Sequence, residues 1–148
     1  MKTVQDILKV KGKEVWSISA VATVFEALKL MSEKSIGALM VMDEKGQVAG
    51  IISERDYARK VILLGKTSRK TLVKEIMTPV SRMFTISPEA PVEESMVIMT
   101  QKHVRHLPVY DGSQFHGIVS IGDIVKTIIE DKDAMIEQLH NYISGKYV

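Results

Sequence analysis

The chain repeats itself. Val4 and Ile7 align with Val73 and Ile76, and Ile18, Ser19, Ala22, Val24, Glu26, Met31 and Lys34 align with Ile86, Ser87, Ala90, Val92, Glu94, Met99 and Lys102. Leu39, Val41 and Asp43 then match Leu107, Val109 and Asp111, and Gly50-Ile51-Ile52-Ser53 with Asp56 lies over Gly117-Ile118-Val119-Ser120 with Asp123. The register slips by one residue twice, before Val15 and Met83 and again in the turns Asp43-Glu44-Lys45-Gly46 and Asp111-Gly112-Ser113, where loops absorb insertions. A duplication constrains everything downstream, because both copies must fold alike and each is too small to build a sizeable core alone.

Each copy reads the same way locally. Val15 to Ser19 and Met83 to Ser87 are short extended pieces rich in β-formers. Thr23 and Glu26 have the spacing of a capping box ahead of Val24, Ala27, Leu28 and Met31, an i, i+3, i+4, i+7 apolar stripe that predicts a helix of about three turns. In the second copy Pro91 is expected as the first helical residue, with Val92, Met96 and Met99 continuing the stripe. Ala38 to Met42 and Val48 to Ile52 flank one turn, Leu107 to Tyr110 and Phe115 to Val119 the other, and both read as hairpins. A second helix is expected from near Glu54 to near Gly65, its counterpart from near Gly122 through Ile129. The order is β-α-β-β-α twice, an α/β (α+β) fold of two repeats packed with pseudo-two-fold symmetry. Residues 1–64 form repeat one and 73–130 repeat two. The polar, basic stretch 65–72 reads as a solvated linker, and 131–148 as a helical extension with Met135, Ile136, Leu139 and Ile143 at helical spacing.

Composition narrows the function classes. The 148 residues include no cysteine, so no disulfide framework, thiolate metal site or cysteine nucleophile exists, and a reducing cytoplasmic setting is expected. No stretch approaches the roughly 18 apolar residues of a membrane span, and Met1-Lys2-Thr3-Val4-Gln5-Asp6 lacks the apolar run of a secretory signal. A net charge of +2 gives no concentrated basic face for nucleic acid. Gly65-Lys66-Thr67 imitates the end of a phosphate-binding loop, but Lys60 stands where the earlier glycine is required. His103, His106 and His116 lack the spacing and companions of a zinc set, so no metal is expected. No nucleophile elbow or zinc-protease helix occurs, and the chain does not read as an enzyme.

The signatures Gly50-Ile51-Ile52-Ser53-Glu54-Arg55-Asp56 and Gly117-Ile118-Val119-Ser120-Ile121-Gly122-Asp123, each behind a Leu-x-Val-x-Asp hairpin, resemble those of the tandem CBS domain pair, or Bateman module. Val104-Arg105-His106-Leu107-Pro108-Val109 and Ile76-Met77-Thr78-Pro79 are similar to that family's second repeat, and the resemblance runs from about Val4 to Ile129. It implies a non-catalytic regulatory module that takes AMP, ADP, ATP, or other adenosyl compounds such as NAD(H) or S-adenosylmethionine, in clefts between the repeats. It further implies a homodimer, no required cofactor, and a separate regulated protein.

The residues suit that chemistry. An ionised Asp at a helix start accepts both hydroxyls of a ribose cis-diol, each charge-assisted bond contributing roughly 1.5 to 3 kcal/mol where dry. Asp56 and Asp123 are the candidates, the alternative being plain helix caps; Ser53 and Ser120, three residues earlier, can meet a phosphate or cap the helix. The resemblance groups Ser53, Arg55, Asp56, Thr78, Pro79, Arg82, Met83, Val104, Arg105 and His106 as one, more cationic site. It groups Val15, Trp16, Ile36, Gly37, Ala38, Ser120, Gly122 and Asp123 as a second and weaker one, with only Lys9, Lys11 and Lys13 for cations. Trp16 can stack on adenine or fill the core. Two rival readings are a scaffolding module with vestigial sites and a nucleotide hydrolase using Asp56 and Glu54.

Overall fold

A computed structural model describes residues 2–12 and 14–145. In chain order the elements are α1 (Val4–Lys11), β1 (Ser17–Ser19), α2 (Val24–Lys34), β2 (Ala38–Met42), β3 (Val48–Ser53) and α3 (Glu54–Tyr57), continued by a π-helical turn (Ala58–Ile62). There follow α4 (Val73–Ile76), β4 (Thr78–Pro79) with a 3-10 turn (Val80–Arg82), α5 (Val92–Lys102), β5 (His106–Asp111), β6 (Gln114–Ser120) and α6 (Ile121–Ile143). The chain forms two compact units, Val15–Met83 and Met1–Glu14 with Phe84–Val148.

These units are not the sequence repeats, because each repeat's leading segment packs on the other repeat's helix. In the Val15–Met83 unit, Val24 N–H donates to Thr71 O at 2.8 Å and Val73 N–H to Ala22 O at 2.8 Å, so the chain entering α4 is stitched to the start of α2. In the other unit, Val4 N–H donates to Ala90 O at 2.9 Å and Val92 N–H to Lys2 O at 3.1 Å, stitching α1 to the start of α5. Burial follows the same exchange. Val73 and Ile76 complete a core with Val24, Ala27, Met31, Leu39, Val41, Ile52 and Val61, while Val4 and Ile7 complete one with Val92, Met99, Leu107, Val109, Val119 and Ile124. Each of the Val, Leu, Ile and Met side chains contributes roughly 1.5 to 3 kcal/mol on full burial. The leading helices add an element to the expected order, which becomes α-β-α-β-β-α.

The Val15–Met83 unit holds a sheet in the order β1-β2-β3-β4, with β1 parallel to β2 and the other pairs antiparallel. Among the described residues the second unit holds the two-stranded β5-β6 hairpin, and the extended piece expected at Met83 to Ser87 is reduced to one parallel bridge, Ile86 to Val109. The duplication reaches into irregularities: the register of both hairpins shifts at matching places, between Val41 and Met42 and between Val109 and Tyr110.

Thr23 caps α2 as expected, accepting from Glu26 N–H at 3.2 Å while the Glu26 carboxylate takes Thr23 N–H at 3.1 Å. Pro91, expected as the first helical residue, is instead the N-cap of α5, which begins one place later at Val92. The expected continuous helix from Glu54 becomes α3 plus the π turn. The basic stretch 65–72 is largely exposed but docked. Phe25 N–H donates to Ser68 O at 2.9 Å, Arg69 lies 3.9 Å over the Phe25 ring, and Thr71 is buried with its hydroxyl on Thr67 O at 2.7 Å. The 23-residue α6 leaves Ile129, Met135, Ile136, Leu139 and Ile143 exposed.

Candidate functional site

The same construction appears once in each unit: a strand ends at a serine that caps a helix, and an aspartate in the first turn closes back on it. β3 delivers Ser53, whose N–H donates to Asp56 Oδ2 at 2.9 Å and whose hydroxyl lies 3.2 Å from the same oxygen, while Asp56 N–H returns to Ser53 Oγ at 3.3 Å. β6 delivers Ser120 in the same way, its N–H 2.9 Å from Asp123 Oδ2 and Asp123 N–H 3.2 Å from Ser120 Oγ. The capping alternative is therefore realised in both copies, using Oδ2.

Each carboxylate also holds a lysine, from a different source. Lys60, in the π turn, places Nζ 3.2 Å from Asp56 Oδ1 and donates to Ile76 O at 2.9 Å, tying the turn to the end of α4. Lys11, in the last turn of α1, donates to Asp123 Oδ2 and to Ile118 O, both at 2.8 Å. π turns concentrate at functional positions, and this one carries the lysine that pairs with the Asp56 carboxylate.

Around Asp56 the unit gathers further expected residues. Ala38 faces Ser53 across β2 and β3, Gly37 O accepts Glu54 N–H at 3.1 Å, and Arg55 is half-buried beside Asp56. Thr78 and Pro79 pair with Ile51 and Gly50 on β3. Gly50 permits that approach, since a Cβ there would run into the Thr78 carbonyl. Arg82 closes the 3-10 turn, exposed, with Met83 half-buried behind it. Val15 is half-buried; Trp16 and Ile36 pack against the core, and Lys34 Nζ sits 4.2 Å over the indole.

Around Asp123 the unit gathers His106, paired with Ser120 across β5 and β6, and exposed Arg105, whose carbonyl accepts Ile121 N–H at 2.9 Å. Val104 packs on the core, and Gly122 is exposed where the other copy has Arg55. Burial pushes His106 below the ordinary histidine value, Lys11 adds to that, Asp123 opposes it, and Arg105 lowers it further. For Asp123 burial pushes upward, but the Lys11 and Ser120 hydrogen bonds and the Lys11 charge outweigh it and hold the carboxyl below its usual range.

Within a unit, then, the strand and helix start that carry Asp56 adjoin Gly37, Ala38 and Thr78, and those that carry Asp123 adjoin Arg105 and His106. Sequence reasoning gave Lys60 no role, although an Asp and a Lys four apart on a helix signal an ion pair. It weighed Lys11 only as a nearby cation, since its partner lies 112 residues away. Lys13 falls outside the described residues. Among the described residues no cluster of histidines and acids could hold a metal ion, and no helix is long and apolar enough to cross a membrane.

The sequence profile for the CBS domain matches residues 3–62 and 73–130. The chain is 38% identical over 152 aligned residues to the CBS domain-containing protein CBSX3, mitochondrial, of Arabidopsis thaliana, covering 98% of this chain and 73% of that one. It superposes with a TM-score of 0.82 on a protein with CBS domains from Burkholderia ambifaria MC40-6, 44% identical, covering 88% of this chain and 96% of that one. The CBS domain pair of protein MJ0100, crystallised with 5′-methylthioadenosine and S-adenosyl-L-methionine, is 27% identical with a TM-score of 0.74, covering 88% of this chain and 98% of that one.

Proposed function

The chain belongs to the CBS domain family, and from that premise we propose that it is a non-catalytic regulatory module that binds adenosine-containing ligands and passes their presence to a separate protein. The observation that carries this reading is the duplicated Ser-x-x-Asp box. It presents a half-buried carboxylate at a helix start twice, each with a basic side chain within hydrogen-bond distance. A carboxylate accepts the two hydroxyls of a ribose, and the adjacent cations and helix N–H groups suit a phosphate. The ligands crystallised with the protein MJ0100 domain pair are of the same adenosyl class. Ser53, Arg55, Thr78 and Arg82 are the further ligand contacts on the Asp56 unit, and Arg105, His106 and Ser120 those on the Asp123 unit. AMP is the ligand we name first.

The exposed apolar positions on α6 support a homodimer, and the cysteine-free sequence suits a cytoplasmic setting. A scaffolding module with vestigial sites draws on the lysines that already occupy both carboxylates. Titration calorimetry separates the two. AMP binds the wild-type chain, Asp56→Ala weakens it by about tenfold or more, and 2′,3′-dideoxyadenosine monophosphate binds wild type about as weakly as AMP binds the variant. A ligand at about 100 times its Kd should stabilise the fold by roughly 2.7 kcal/mol; no thermal shift with any adenosine compound would refute the sensor reading.

A further inference from the structure

Lys11 is a hinge between two electrostatic partners. It leaves α1 at its last turn, anchors on the Ile118 carbonyl at 2.8 Å, and reaches the Asp123 carboxylate at 2.8 Å with the same Nζ. Its side chain is 39% exposed and that of Asp123 25%, so both are open to a solute. The charges acting on nearby His106 are Lys11, Asp123 and Arg105, two permanent cations against one anion. The matching position in the other copy is Val80, and Asp56 draws its lysine from its own helix, four residues on. Among the described residues, the lysine on Asp123 comes from outside the repeat that carries the aspartate, whereas the lysine on Asp56 comes from within its own.

Resting on the reading of Asp123 as a sugar acceptor, we propose that Lys11 is the residue that makes this site select adenosine derivatives carrying an anion beside the sugar and reject neutral or cationic ones. When a ribose diol takes Asp123, Lys11 loses a share of its counter-ion. A ligand phosphate restores it, with the Ile118 carbonyl still holding the ammonium, and settles the excess positive charge shared with Arg105. A neutral thioether restores nothing, and a sulfonium adds a further cation. The long, freely rotating lysine stem permits the transfer without moving the backbone.

The test compares AMP with 5′-methylthioadenosine by titration calorimetry on the full-length wild type, Lys11→Met and Lys11→Arg, each repeated in an Asp56→Ala background to isolate the Asp123 site. Wild type should prefer AMP, Lys11→Met should reduce that preference by about tenfold or more, and Lys11→Arg should keep it. An unchanged preference in Lys11→Met, with AMP still binding, overturns this inference and leaves the sensor reading standing. Failure of both ligands to bind wild type overturns both.

Discussion

Ser95 has its side chain fully buried in α5, and its hydroxyl has no hydrogen-bond partner among the described residues. Its counterpart in the first repeat is Ala27, equally buried in α2 between the same kinds of neighbours. The duplication thus supplies its own control: one helix position solved with a methyl and once with a hydroxyl. Leaving a buried hydroxyl unsatisfied costs about 1–3 kcal/mol. Alanine also exceeds serine in helix propensity by about half a kcal/mol, and the lost packing of one oxygen offsets part of the gain. Ser95→Ala should therefore stabilise the protein by about 1–2 kcal/mol. With a urea m-value of about 1–3 kcal/mol/M, the midpoint should rise by about 0.3 to 2 M with m unchanged. Ala27→Ser should lower it by a similar amount. A Ser95→Ala midpoint equal to or below wild type, at the same m, would mean the hydroxyl is satisfied in solution and the reasoning fails.

Other expectations follow from the sites. The folded pKa of Asp123 is depressed, so its contribution is full above about pH 4 and is lost as pH falls through the folded value. The urea-midpoint gap between wild type and Asp123→Asn should shrink on going from about pH 6 to about pH 3. His106 is depressed the other way round for a base: the unfolded chain takes its proton first, so stability drops as pH falls below about 6.5 toward the folded value. His106→Gln should flatten that slope, seen in thermal midpoints between about pH 7 and pH 5.5. Gly50→Ala drives a Cβ into the Thr78 carbonyl and should cost about 1–3 kcal/mol while weakening AMP through β4; a melt indistinguishable from wild type would contradict it.

What could be read from residues alone was whatever sequence neighbours decide. The Thr23 and Glu26 box, both hairpins and the α5 stripe at Val92 and Met99 rest on contacts a few residues apart, and they stand in the structure. The leading helix α4 was missed because it has only four residues and packs on Val24 and Ala22, far upstream. The strand expected before α5 dwindled to a bridge because Ile86 alone finds a partner in Val109. At the sites, the Ser-x-x-Asp boxes were legible from spacing, whereas Lys11 was recognisable only once folding had brought its distant acceptor to it.

Because Val15–Met83 is one continuous stretch flanked in sequence by the two segments of the other unit, the polypeptide leaves the ribosome in an awkward order. The inner unit has every segment it requires once Met83 has emerged. Val4 and Ile7, by contrast, wait for partners on α5 and β5 that are still unmade, a delay on the order of seconds at ordinary elongation speeds. During that interval the amino-terminal helix is an orphan, and chaperones or a wrong mate have their opportunity there.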